Sequence, residues 1–272
     1  MRVRVGLNGA AGRMGRLLVA AVLRTEDLVL TVAADKPDHP ALGVDVGVVA
    51  GLPSVGLPIE TLENGVADAV DVFLDFSLPA GTRRLLAVAG DRPLVVGTTG
   101  LDAEARAALE SRARSVPVVA SPNFSTGIAI LHRLVAIAAA GLPGYDVEVV
   151  ETHHRAKADA PSGTALALAR TAASARGHDL RAVHGRAGAT GARITGEIGI
   201  HAVRGGDVVG EHRVLLAGPG EVLELAHRAT SREAFVGGAL VATRWVIGRA
   251  PGLYDMSHVL SVGEVQALER SR

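Results

Sequence analysis

The sequence predicts an α/β protein of two domains, the first built on a parallel sheet and the second an α+β unit with a mostly antiparallel sheet. Three observations carry that prediction. Short Val-rich runs alternate with apolar-periodic stretches through the first half, the order that gives parallel strands joined by helices. In the second half, three strand-like runs follow one another with Gly205-Gly206 and Pro219-Gly220 as turn signals between them, the punctuation of antiparallel pairing. Hydrophobic residues make up 48% of the 272 residues and aromatics only 3%, so the core must be aliphatic and fitted around tight turns.

Val3–Leu7 alternates apolar and polar residues and reads as a strand. It runs into Asn8-Gly-Ala-Ala-Gly-Arg-Met-Gly15, then an apolar-periodic helix to about Leu23, then a strand over Leu28–Ala34 closed by Asp35. Strand, glycine turn, helix, strand and terminal acid is the order of a dinucleotide-binding, Rossmann-type βαβ unit. Gly9 permits the tight turn, Gly12 lets backbone approach a pyrophosphate, and Gly15 lets the helix pack closely. The helix start then offers N–H groups and a positive dipole end to the phosphates. The spacing is G-x-x-G-x-x-G rather than the strict G-x-G-x-x-G. Asp35 lies at the distance that suits the adenosine ribose hydroxyls, and the neighbouring Lys36 could neutralise a 2′-phosphate. The pair permits both NADH and NADPH.

The alternation continues with strands at Asp71–Phe76, Pro93–Gly97 and Val116–Ala120 and helices near Ala80–Ala89 and Ala103–Arg114. In a parallel sheet, ligands collect at the C-terminal ends of the strands. Phe76-Ser77, Gly97-Thr98-Thr99-Gly100 and Ser121-Pro-Asn123-Phe124-Ser125 all fall there. Small residues at those ends let a flat ring approach the backbone.

In the second half, Ile128–Ala140 is an apolar helix and Tyr145–Thr152 an alternating strand, with a helix following at Thr164–Ala175. Arg186–Arg193 is Gly-rich and fits neither period. Strands are expected at Glu197–Arg204, Val208–Ala217 and Glu221–Arg228, and an amphipathic helix at Ala234–Ile247 that packs back on the first domain. The expected division is residues 1–125 with 232–272 for the dinucleotide domain, and 126–231 for a substrate and oligomerisation domain.

The chemistry concentrates in Glu148-Val-Val-Glu-Thr-His-His-Arg-Ala-Lys-Ala-Asp-Ala-Pro-Ser-Gly-Thr-Ala165. The chain has only two lysines, Lys36 and Lys157, among 28 basic Lys and Arg residues. A lysine kept at 157 suggests a need for a compact ammonium or for a proton that can leave. His153 and His154 point to opposite faces of an extended backbone, which disfavours a shared metal, and no metal site is expected. Asp159-Ala-Pro161 stops any helix, and Ser162 can cap a new one whose Gly163 and Thr164 amides would meet an anion. A cation, imidazoles and a helix start on one loop make a receptor for a small carboxylate with proton donors attached. Beside a dinucleotide site, that implies hydride delivery to a carboxylated substrate with protonation by His153 or Lys157.

Formal net charge is zero, which argues against nucleic-acid binding. The absence of cysteine excludes disulfides and thiolate metal sites. No apolar run approaches the ~20 residues that span a membrane, and the N-terminus lacks a signal-peptide pattern, so a cytoplasmic protein is expected.

The long motif from Glu148 to Ala165 resembles the signature of the dihydrodipicolinate reductase family. Gly9–Gly15, Asp75-Phe76, Gly97–Gly100, Asn123–Ser125, Val209-Gly-Glu-His212 and Gly252–Met256 fit the same family in order, over nearly the whole chain. The resemblance implies NAD(P)H-dependent reduction of a cyclic dicarboxylate in lysine and diaminopimelate biosynthesis. It implies that His153 and Lys157 serve proton transfer, and that His154, Lys157, Gly163 and Thr164 hold the substrate carboxylates. The cofactor would lie on Gly9, Ala10, Gly12, Arg13, Met14, Gly15, Asp35, Lys36, Phe76, Gly97, Thr98, Thr99, Ser121, Asn123 and Phe124, with Arg232 near the nicotinamide. Family members are typically homotetramers joined through the substrate-domain sheet, closing by hinge motion. Many members carry Glu-Arg where this chain has Asp35-Lys36. The shorter acid suits NADH, and a lone Lys holds a 2′-phosphate less firmly than a bidentate Arg. An acylating semialdehyde dehydrogenase is the competing enzyme, but it wants a nucleophilic Cys. A non-catalytic NAD sensor would leave the His-His…Lys cluster without a purpose.

Overall fold

The computed structural model of the chain describes residues 2–261, so residues 262–272 of the expected first domain lie outside the described range. Two compact units are present: one runs to Thr126 and resumes at Phe235, the other spans Gly127–Ala234. In chain order the first unit contains β1 (Val3–Asn8), α1 (Arg13–Leu23), β2 (Leu28–Ala34), α2 (Val46–Val49), β3 (Ile59–Glu60), β4 (Val72–Asp75), α3 (Pro79–Val88), β5 (Leu94–Val96), α4 (Ala103–Ala113) and β6 (Pro117–Ala120). The second contains α5 (Thr126–Gly141), β7 (Asp146–His153), α6 (Gly163–Ala175), β8 (Arg181–His184), β9 (Glu197–Arg204), β10 (Gly210–Gly218) and β11 (Glu221–Ala229). The chain then enters α7 (Glu233–Val246), β12 (Gly252–Tyr254) and α8 (Met256–Val259).

The sheet of the first unit has the order β12-β6-β5-β4-β1-β2-β3, with every pairing parallel. The order reverses between β1 and β4, the switch point where such sheets bind ligands at strand C-termini. Local sequence explains the elements. α1 buries Leu18, Val19 and Val22 on one face. Pro79 opens α3 at a position where its missing N–H costs nothing, and the Asp102 side chain caps α4 by accepting from the Ala105 amide at 2.8 Å. The Pro- and Gly-punctuated stretch between β2 and β4 has no sustained period, yet it is ordered by one carboxylate. Asp45 accepts from the amides of Gly47, Val48, Val55, Gly56 and Leu57 and from the Ser54 hydroxyl. These bonds outweigh the burial of the group and lower its pKa to about 2. The three-residue β12 extends the sheet beyond β6; a strand that short carries no periodic signal.

Gly9 has φ +86°, and a side chain there would press on the Phe76 carbonyl. A Cβ on Gly15 would fall 2.0 Å from the Gly9 carbonyl oxygen, so the helix can sit on the turn only without one.

The second sheet has the order β11-β10-β7-β9-β8. It is a mixed sheet, antiparallel on one side of β7 and parallel on the other. β10 pairs antiparallel with β11 and with β7, whereas β9 runs parallel to both β7 and β8. Gly205-Gly206 therefore does not close a hairpin: β7 lies between β9 and β10. The turn at Pro219-Gly220 does join neighbours, β10 and β11. One sheet face buries Val147, Val149, Ile198, Ile200, Val214 and Leu216 in a core shared with α5 and α6. The Gly-rich loop after β8 is tied back to the sheet by Arg186 and Arg193, which both bond Glu148.

Gly15→Ala is expected to lower thermal stability by about 1–3 kcal/mol through overpacking at the turn. Thermal unfolding followed by circular dichroism checks this, and an unchanged transition would show that the turn accommodates the methyl group.

Candidate active site

β7 alternates strictly, and its inward face changes character along its length. Val147 and Val149 are buried in the apolar core, and the next inward position is Glu151, with 0% of its surface exposed. His153 follows on the same face, as the two-residue period of a strand requires. The His153 Nδ1 lies 2.5 Å from Glu151 Oε2. Arg204, paired with His153 across the parallel β7–β9 ladder, donates from both terminal nitrogens to the two Glu151 oxygens at 2.8 Å each. The Ser162 amide donates to Glu151 Oε1 at 3.0 Å. A buried carboxylate is tolerated because a guanidinium, an imidazole and an amide satisfy it. Burial pushes the Glu151 pKa up, but the bonds from Arg204, His153 and Ser162 prevail and hold it below the ordinary value.

Ser162 is the N-cap of α6, its hydroxyl oxygen accepting from the Ala165 amide at 3.2 Å. The same hydroxyl lies 3.2 Å from Nε2 of His212, a buried residue of β10 whose ring meets that of His153 edge-on at 5.2 Å. Burial, foremost, lowers the His212 pKa to about 4, so this ring is neutral near pH 7. His153 is also lowered. Burial drives it down, Glu151 opposes through its hydrogen bond and charge, and the charges of Lys157 and Arg204 lower it further.

His154 stands beyond the strand, in a turn where its carbonyl accepts from the Lys157 amide at 3.1 Å. The Lys157 ammonium lies 2.8 Å from Asp159 Oδ1, and that ion pair holds the Asp159 pKa down. Arg204 also donates to the Asp159 carbonyl at 2.6 Å, so the loop that carries Lys157 is fastened to the same guanidinium as Glu151. A Cβ on Gly163 would meet nothing within 4 Å, leaving room at the start of α6. Imidazole, ammonium and helix start thus share one end of β7. Such a set can bind a small carboxylate and pass it a proton.

At the switch point of the first unit, the glycine turn is closed by its own amides. Gly9 and Ala10 donate to the Ala34 carbonyl at 2.8 and 2.9 Å, and Gly12 to that of Gly9 at 3.1 Å. The Ala11 amide donates to Asp35 Oδ2 at 2.9 Å, so this acid braces the turn as well as closing β2. Arg13 and Met14 begin α1, where first-turn amides have no intrahelical carbonyl. Lys36 is half-exposed and pairs with Asp38 at 3.3 Å.

Asp75, fully buried at the end of β4, gathers the remaining loops. It accepts from Asn8 Nδ2 at 2.8 Å, from the Ser77 and Thr82 hydroxyls at 2.5 Å each, and from Thr98 Oγ1 at 3.1 Å. With neutral donors only, burial wins and raises its pKa. The Thr98 side chain is committed to this network, while Thr99 is exposed. The rings of Phe76 and Phe124 lie 5.3 Å apart, and a Cβ on Gly97 would strike the Phe76 ring at 2.3 Å. The Ser121 hydroxyl donates to the Asn123 carbonyl at 2.7 Å, shaping the loop that carries Phe124. A positive-φ glycine turn, a helix start without a side-chain cap and small-residue loops gathered at the strand C-termini fit a dinucleotide. Arg232 is exposed in the turn between β11 and α7.

Sequence reasoning missed Arg204 and His212 as site residues and gave Glu151 and Asp75 no role. Glu151 had a signal, its two-residue offset from His153 within a strand. Arg204 had none, because only the β7–β9 pairing brings it near. Among the described residues no helix is long and apolar enough to cross a membrane.

Residues 3–124 match the family model for the dihydrodipicolinate reductase N-terminus, and residues 127–260 match that for its C-terminus. A protein from Alkalilimnicola ehrlichii named 4-hydroxy-tetrahydrodipicolinate reductase is 46% identical over 268 residues, covering 96% of this chain and 100% of its own. One of the same name from Thiobacillus denitrificans is 46% identical over 267 residues, covering 96% and 100%. Among solved structures, a dipicolinate-bound dihydrodipicolinate reductase from Paenisporosarcina sp. TG-14 aligns with a TM-score of 0.71 at 28% identity, covering 94% of this chain and 98% of that one. A diaminopimelate dehydrogenase from C. glutamicum shares the fold at a TM-score of 0.56 and 14% identity, over 99% of each chain. By its matched domains and the length and identity of these relatives, the chain belongs to the dihydrodipicolinate reductase family.

Proposed function

We propose that this chain reduces 4-hydroxy-tetrahydrodipicolinate to tetrahydrodipicolinate with NADH or NADPH, in lysine and diaminopimelate biosynthesis in the cytoplasm. The observation that carries the reading is the polar end of β7, where His153, Lys157 and the capped start of α6 adjoin in a chain that also carries a dinucleotide turn. The nicotinamide cofactor, when bound, supplies a hydride. The 4-hydroxyl and one ring hydrogen leave together as water, and one hydride and one proton enter the ring in their place, so the chain must hold a dicarboxylate and manage protons.

Gly163 and Thr164 at the α6 start receive one carboxylate, with the helix dipole favouring the negative charge. Lys157 and His154 hold the charge of the substrate from the preceding turn. His153 exchanges the proton through Nε2, since Nδ1 is engaged by Glu151. Lys157 is the second proton-transfer group; its ion pair with the more exposed Asp159 is replaceable by a substrate carboxylate. On the cofactor side, the α1 start with Arg13 and Met14 takes the pyrophosphate, Asp35 and Lys36 the adenosine ribose, and Phe76, Gly97–Thr99, Ser121, Asn123 and Phe124 the nicotinamide half, with Arg232 contributing at its edge.

The same reading makes the protein a homotetramer joined through the sheet of the second unit. Its edge strand β11 leaves Val222 59% and Leu223 40% exposed, the kind of long unpaired edge that soluble proteins usually cover. Light scattering is expected to give the mass of four chains; a monomer at working concentration would contradict it.

Three assays test the chemistry. Freshly made substrate should cause loss of NAD(P)H absorbance, and no turnover would sink the reading. Lys157→Ala should lower kcat by about 10²–10⁴-fold with little change in cofactor affinity, as loss of a proton-transfer group does; an ordinary kcat would make Lys157 structural. Asp35 beside Lys36 predicts use of both cofactors, and a kcat/KM preference of about a thousandfold for either would contradict that.

A further inference from the structure

We propose that Glu151 is the positioning residue of this site: its buried carboxylate, clamped by Arg204, fixes the tautomer of His153, the start of α6 and, through Arg204, the loop of Lys157. The inference rests on the reading of His153 as a proton-transfer group.

The geometry assigns each oxygen a task. Oε2 meets His153 Nδ1 at 2.5 Å, and Oε1 accepts the Ser162 amide at 3.0 Å. An ionised carboxylate only accepts, so Nδ1 carries the ring hydrogen and Nε2 is left to take or give the catalytic proton. Gly210 keeps that edge of the ring clear, because a Cβ there would come within 3.1 Å of Nε2. The Ser162 amide leads directly into the helix start proposed to hold the substrate carboxylate, so one side chain sets the relation between proton and anion sites. Arg204 spans both oxygens and also donates to the Asp159 carbonyl at 2.6 Å, placing the Lys157–Asp159 pair in the same frame. Glu151 has no exposed surface, so solvent cannot substitute for any of these partners.

The charged and titratable groups facing His153 are Glu151 on its own strand, Arg204 on β9, His212 on β10 and Lys157 in the following loop. Of these only Glu151 favours the imidazolium. Its neutralisation leaves Arg204 and Lys157 unopposed, so the pKa of His153 must fall and the limb of the kcat/KM profile that reports His153 must move to lower pH.

The test uses the full-length protein with Glu151→Gln, and a second variant combining Glu151→Gln with Arg204→Met, which leaves no unpaired buried charge should the first fail to fold. Imidazole NMR of the histidines, with His153 assigned by difference from His153→Gln, gives tautomer and pKa without any substrate. The expected result for Glu151→Gln is a fall in the His153 pKa by about one unit or more and a mixed tautomer. It is accompanied by a kcat lower by about 10²–10⁴-fold, as when an orienting carboxylate is lost. The double variant is expected to show the same loss of tautomer with a smaller pKa change. An unchanged tautomer and pH profile in whichever variant folds would overturn the proposal. Absence of turnover by the unaltered protein would instead defeat the functional reading, while the NMR titration would still decide the role of Glu151.

Discussion

A carboxylate sealed from solvent at the end of a strand has to find a partner for each of its lone pairs, and in this chain that requirement organises the second unit. Glu151 occupies the inward position that Val147 and Val149 fill earlier in β7. An isolated charge there would be expelled or neutralised. Instead Arg204 meets it across the β7–β9 ladder, His153 meets it from two residues on, and the polypeptide bends so that the Ser162 amide reaches it. Those demands are local, yet satisfying them brings together a proton-exchanging ring, an ammonium-bearing loop and a helix start. Buried ion pairs are costly to assemble and more costly to break, so the arrangement is rigid where the proposed chemistry needs rigidity.

The first unit solves a similar problem differently. Asp75 is as deeply buried as Glu151 but has hydroxyl and amide donors and no cation. Burial therefore raises its pKa, whereas the Arg204 partnership lowers that of Glu151. The consequence is structural: Asn8 from β1, Ser77, Thr82 from α3 and Thr98 after β5 are drawn to one point at the switch of the parallel sheet. Asp35 adds a second tie by holding the Ala11 amide. In each unit, then, a buried carboxylate holds loops in place, and the groups proposed to touch ligands are carried on those loops.

Much of this was legible before any coordinates. The glycine turn, the acid closing β2, the alternating strands and helices and the Ser162 cap all follow from local spacing, and β2 and β9 match the expected runs residue for residue. What escaped depends on pairing between distant segments. Arg204 is 53 positions from Glu151, and only the parallel β7–β9 register brings it there. The glycine pair before β10 suggested a hairpin that would have put β9 on the other side. Asp75 escaped in part for the same reason, since two of its partners, Asn8 and Thr98, lie 67 and 23 positions away. Glu151 was readable in principle: two residues before a histidine on a strand is the same face. The strands β3, β8 and β12 are too short, or too exposed, to print a period.

The decisive measurement is a crystal structure of the protein soaked with a planar cyclic dicarboxylate. The assignment of roles at the end of β7 requires one carboxylate at the Gly163–Thr164 start of α6, within hydrogen-bonding distance of Lys157 Nζ, with the ring beside His153 Nε2 and Glu151 still on Nδ1. A dicarboxylate bound away from the end of β7, or a His153 ring turned from Glu151 in the complex, would contradict it.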